Sequence, residues 1–175
     1  MTDSVVQASS VPVDPLGRAL DHACRALALI GGILLVGLTL TTTYSIFMRA
    51  FFDEPLLGDV ELVQMGCGIA IVFFLPLCQL RRGNVIVDVF TLRASPWVRR
   101  TLDALGSILM ALAGALLAWR SLIGTLDAYG TGEETVIMGL PIWWTMCAFV
   151  PALGLLALVS LYTAWQDIRD KEPRP

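Results

Sequence analysis

Apolar residues run through this chain in four long windows that charged residues bracket rather than interrupt. Arg25 and Arg49 enclose Ala26 to Met48, Glu61 and Arg81 enclose Leu62 to Leu80, Asp103 and Arg120 enclose Ala104 to Trp119, and Glu134 and Asp167 enclose Thr135 to Gln166. Hydrocarbon offers no partner to a free backbone group, so each window should cross it as a helix of roughly 20 residues through about 30 Å. The pattern therefore predicts an all-α integral membrane protein with four transmembrane helices, at about residues 26–48, 62–80, 102–122 and 141–165. The third window covers only about 24 Å, so its helix must carry charge at its ends, and Arg120 either snorkels outward or pairs with an acid. In the fourth, Pro141 at a first helical position and Trp143 with Trp144 mark one interface, and Trp165 marks the other about 33 Å along.

Composition agrees with the pattern. Of 175 residues, 56% are hydrophobic and 15% charged, and the mean hydropathy is +0.72. Once the spans are assigned, too little chain remains in water for a separate globular core. The expected organisation is one membrane domain over residues 14–170, between a disordered cytoplasmic tail at 1–13 and a short cytoplasmic tail at 171–175. The lipid bilayer is thus the first partner. A net charge of −3 excludes a basic surface for nucleic acid.

Basic residues set orientation, because loops rich in Lys and Arg are retained in the cytoplasm. One side holds Arg18, Arg25, Arg81, Arg82, Arg93, Arg99, Arg100, Arg169, Lys171 and Arg174, and the other only Arg49 and Arg120. Both termini are expected in the cytoplasm. The outer side then collects Asp53, Glu54, Asp59, Glu61, Asp127, Glu133 and Glu134 in two short acidic loops. The first basic residue is Arg18 and the following apolar run exceeds a signal-peptide core, so the N-terminus reads as uncleaved.

Asp14 with Pro15 can cap a helix that runs through Arg18, Asp21 and Arg25 into the first span, and Ser95 with Pro96 repeats the arrangement before the third. Gly83 and Asn84 read as a turn. Val85 to Leu92, apolar apart from Asp88 and Thr91, is expected to form a short cytoplasmic interfacial segment between the second and third spans. It is either a helix, which is the preferred reading, or a strand-like crossing, since periodicity does not decide over so few residues.

Helix association in lipid depends on close packing, which small residues four apart permit. Ala28 with Gly32, Gly66 with Ala70, Ser107 with Ala111 and Ala115, and Ala148 with Ala152 supply such faces. Pro76 and Pro151 fall within the second and fourth helices as tolerated kinks. Chemistry is missing from the middle of every span, where no Asp, Glu, Lys, Arg or His stands. A proton-coupled exporter needs a carboxylate there, and haem needs paired axial ligands, whereas the one histidine, His22, lies near the cytoplasmic edge. Cys24, Cys67, Cys78 and Cys147 have no CxxC spacing and none lies in an outer loop, which excludes a disulfide oxidase. The expectation is a non-enzyme without catalytic residue, metal or cofactor.

The order of features resembles the small membrane subunit, DctQ-type, of tripartite ATP-independent periplasmic (TRAP) transporters. The resemblance is carried by Tyr44 to Phe51 (YSIFMRAF), Gly58 to Leu62 (GDVEL), Phe73 to Phe90 (FFLPLCQLRRGNVIVDVF), and Gly139 to Trp144 (GLPIWW) followed by Val150-Pro151. Asn84 stands where many members carry His, and Glu61 is single where a pair of acids is frequent. The resemblance implies an accessory subunit in the bacterial inner membrane. It would brace a large membrane subunit that moves an organic acid or similar solute with sodium, delivered by a periplasmic solute-binding protein. A membrane scaffold or assembly subunit of another complex is the alternative.

Within that frame the structural or partner-facing residues are expected to be Arg49, Glu61, Arg82, Asp88, Pro141, Trp143 and Trp144. Arg49 and Glu61 flank the first outer loop and could pair, with Asp53 and Asp59 competing. Arg82 and Asp88 would organise the turn after the second span, with Arg81, Arg99 and Arg100 toward anionic headgroups. The acids Asp53, Glu54, Glu133 and Glu134 could meet a basic patch on the binding protein.

Overall fold

The computed structural model describes residues 15–53, 57–81 and 96–169. Four helices account for nearly all of them: α1, Pro15–Phe52; α2, Asp59–Leu80; α3, Pro96–Thr131; and α4, Trp143–Arg169. All four are long and apolar enough to cross a membrane. Among the described residues the only extended pairing is a single bridge between Glu134 and Pro141. The expected all-α membrane fold is the fold observed.

Two helices outrun their apolar windows. The first, of 38 residues, begins at Pro15 and carries its polar first turns without a break into the span. There Asp21 and Arg25, one turn apart, form an ion pair of 2.7 Å. The third begins at Pro96, as the Ser-Pro pair suggested, but continues to Thr131, well beyond the expected end near residue 122. Leu122, Leu126, Ala128 and Tyr129 sustain the apolar pattern past Arg120, so Arg120 and Asp127 are helix residues rather than the mark of an outer loop. Gly132, at φ 66°, ends this helix by donating its N–H to the Ala128 carbonyl at 3.1 Å, a left-handed stop that glycine adopts without strain.

Packing follows small residues and a seven-residue rhythm. The buried positions of α1 are Gly17, Asp21, Cys24, Gly31, Leu38 and Ser45, a spacing close to 3.5 that keeps one seam turned toward a neighbour. Gly66, Ala70, Phe73, Pro76 and Gln79 are buried on α2. A Cβ on Gly66 would fall 2.6 Å from Leu38 Cδ1, and one on Gly31 would fall 3.2 Å from Phe73 Cβ. The expected Gly66 and Ala70 pair therefore lies in the seam. The expected Ala28 and Gly32 pair does not supply it, since Gly32 faces open space and its neighbour Gly31 makes the approach.

Helix α4 is central. It packs on α3, on α2 and, more slightly, on α1, whereas α3 among the described residues touches no helix but α4. The order across the array is thus α1, α2, α4, α3, open rather than closed into a ring. Burial records the difference: 28% of the most apolar stretch of α4 is buried against 6% of that of α3. Antiparallel register between these two is fixed at three levels. Tyr129 meets Trp143 edge to face at 5.7 Å between ring centroids. A Cβ on Gly124 would stand 3.3 Å from Met146 Sδ, and one on Gly114 would stand 3.2 Å from the Ala157 backbone nitrogen. The small-residue contact on α3 is hence Gly114, while Ala115 of the expected row is exposed.

Candidate functional site

The polar structure gathers at one end of the array, where α1 and α3 stop and α2 and α4 begin. Helix α1 stops at Phe52, and Asp53 takes a left-handed φ of 57°, a conformation that aspartate tolerates better than most residues. Gly58, at φ 87°, leads into α2 with its α-carbon against the Met138 side chain; any Cβ there would run into that methionine. Glycine is therefore required twice over, by the backbone angle and by the close approach.

Between α3 and α4 the acidic segment expected as a loop is a small folded turn. Ile142 N–H donates to the Glu133 carbonyl at 3.0 Å and Thr135 N–H to the Leu140 carbonyl at 2.9 Å. Thr135 Oγ1 accepts from Leu140 N–H at 3.0 Å, and Gly139, at φ 63°, closes the turn by donating to the Thr135 carbonyl at 3.1 Å. Pro141 belongs to this turn, opposite Glu134, and α4 starts two residues later at Trp143. The proline was expected inside the helix; its fixed φ instead serves the extended bridge and then the entry turn. Trp143 is half-buried between the Tyr129 ring and the Trp144 ring, 5.9 Å away, while Trp144 is exposed.

Glu61, in the first turn of α2, reaches across to this turn. Its Oε1 accepts from Ile137 N–H at 2.9 Å and its Oε2 from Met138 N–H at 3.1 Å. One carboxylate thus satisfies two successive backbone donors that the turn cannot serve itself. Asp59, two residues earlier, accepts from the buried Ser45 hydroxyl at 2.7 Å, tying α2 to α1. These bonds use Glu61, the expected partner of Arg49, and Asp59, one of its two expected competitors. Arg49 makes no ion pair with any described residue; it is exposed in the last turn of α1, where a cation complements the helix dipole.

The remaining expected positions divide by location. Asp53, Glu133 and Glu134 are exposed at this same end of the array. Glu54, Arg82, Asp88 and the interfacial segment Val85 to Leu92 lie outside the described residues, as do both tails. His22 is exposed on α1, and all four cysteines are free. No group of three His, Cys, Asp or Glu residues is placed to hold a metal ion among the described residues. What is built at this end is a clasp between hairpins, with exposed acids around it. Sequence reasoning missed the Ser45 to Asp59 bond and the Glu61 clasp. The glycines at 132 and 139 around Thr135 were the available signal for an ordered turn.

Residues 38–170 match the family model described as tripartite ATP-independent periplasmic transporters, DctQ component. The match spans α2 to α4 and the C-terminal part of α1 from Leu38 onward. No curated protein and no solved structure matches the chain.

Proposed function

The chain belongs to the DctQ family of tripartite ATP-independent periplasmic transporters, and from that premise we propose that it is the accessory subunit that braces a large transport subunit. In this reading the large subunit moves an organic acid or similar solute with sodium, and a periplasmic solute-binding protein delivers it. Both termini lie in the cytoplasm, and the clasp of Glu61 with the 133–142 turn faces the periplasm. The observation that supports a bracing role is the family match over a chain whose apolar windows, Ala26 to Met48, Leu62 to Leu80 and Ala104 to Trp119, hold no Asp, Glu, Lys, Arg or His. A helix set with one open side and an exposed, least-buried α3 has surface left for a larger partner. Arg49, Trp144 and the outer acids Asp53, Glu54, Glu133 and Glu134 stand on the side that meets the periplasm, with Arg82 and Asp88 on the other.

Co-expression with a large membrane subunit of the same transporter family tests the proposal. The two should copurify, and solute uptake in liposomes should require both chains and the binding protein. Uptake by this chain alone, or no association with the large subunit, would refute it. Neutralising Asp53, Glu54, Glu133 and Glu134 together should leave the preference among solutes unchanged while altering uptake rate and its salt dependence, because charges at a rim act on encounter more than on recognition. A changed preference would place this chain in solute recognition.

A further inference from the structure

Arg120 stands where an arginine is hard to accommodate. The register of α3 on α4 sets it between Gly124, level with Met146, and Gly114, level with Ala157, and so near the depth of Pro151. That is about 12 Å inside the Trp143 level and about 21 Å from Trp165, well within the apolar layer that those tryptophans bound. The side chain is exposed on α3 and pairs with no described acid. Asp127 shares its face but lies seven residues on, about 10 Å along the axis.

Snorkelling runs against the geometry. Arginines reach the interface from near helix ends, and this one is more than two turns from the Trp143 level. Every Cα–Cβ bond in a helix also tilts toward the N-terminus. On α3 that direction leads away from the nearer interface, toward the middle of the layer, whichever way the protein is oriented. The surface around Arg120 is otherwise apolar and low in relief: Leu109, Ala113 and Leu116 are exposed beside it, and a Cβ at Gly106 would meet nothing within 4 Å. A second helix could approach this stripe closely and bring an anion to the guanidinium.

We infer that Arg120 forms a charge pair, within the membrane, with a carboxylate on a transmembrane helix of the large subunit, and that the exposed flank of α3 carrying Leu109, Ala113, Leu116 and Arg120 is the docking surface. The inference rests on the accessory-subunit reading and adds to it the helix face and the recognising chemistry. A planar guanidinium suits a carboxylate because it can donate two parallel hydrogen bonds.

The test uses the full chain co-expressed with a tagged large subunit and captured into nanodiscs. Arg120→Leu should still insert, since it makes α3 more apolar, yet the amount captured should fall about tenfold or more. Arg120→Glu should fail likewise, and reversing one membrane-embedded carboxylate of the large subunit to Arg should restore capture of that variant. Wild-type capture should be the same in phosphatidylcholine alone as with phosphatidylglycerol present. Undiminished capture of Arg120→Leu overturns the inference, as does failure of every single reversal to restore Arg120→Glu. A wild-type requirement for phosphatidylglycerol also overturns it, assigning Arg120 to a lipid phosphate. If the wild-type chain captures no large subunit, the accessory reading itself falls, and the inference with it.

Discussion

Glu61 holds two amide hydrogens that the 133–142 turn would otherwise leave to water, and it does so from a different hairpin. Replacing it with alanine removes both acceptors without touching the turn's internal bonds. Hydrogen exchange at Ile137 and Met138 should then accelerate, while exchange in the central turns of α4 stays as it is. Arg49→Ala should leave those two amides unchanged, because Arg49 takes no part in the clasp. A similar acceleration in both variants would show instead that overall outer charge governs the turn. As opposite charges flanking one short loop, Glu61 and Arg49 have an evident claim to each other. What the sequence could not display is a pair of backbone donors 76 and 77 residues away, since amide groups carry no signature in side-chain identity. Pro141 was misplaced for a related reason: a fixed φ suits a first helical turn and an extended bridge equally well.

At the scale of elements, existence was legible and extent less so. Charges flank an apolar span because their burial in lipid is costly, and Glu61 and Arg81 stand at the two ends of α2, whereas α1 runs on through Arg25 to Pro15. Arg120 misled by the same logic, for a charge need not end a helix whose apolar pattern resumes at Leu122. Packing faces were legible only in part. Ala111, Ala115 and Gly114 all lie on α3 at spacings that suit close approach, and only the three-dimensional register selects Gly114. This choice can be tested on the isolated subunit. Gly114→Leu should push α3 from α4 and cost about 1–3 kcal/mol, as overpacking does. Gly106→Leu, in open space, should cost nothing and could gain about 1 kcal/mol from helix propensity. Unfolding of both variants in the same detergent compares them directly, and equal losses would contradict the α3–α4 contact.

For the whole molecule, the expected orientation rests on ten basic residues on one side against Arg49 on the other, with Arg120 inside the α3 span. A reporter fused after Gly132 should report the periplasm and one fused after Lys171 the cytoplasm; the opposite result would invert the scheme and turn the clasp inward. Gly132 is the better position than Asp127, because a fusion at Asp127 would cut α3 before its last turn.

The open order of the array has a further consequence. Contacts are densest within α1–α2 and within α3–α4, and the two pairs meet through the α2–α4 seam, a slighter touch of α1 on α4, and the Glu61 clasp. Each pair can therefore enter the bilayer and fold as it emerges, before the other exists. Severing the chain between Arg81 and Pro96 should then yield two fragments that recombine when made separately. Glu61→Ala should weaken their recombination more than it harms the intact chain, where the covalent link keeps the halves at high local concentration. Fragments that never reunite would show that the link is needed for docking itself.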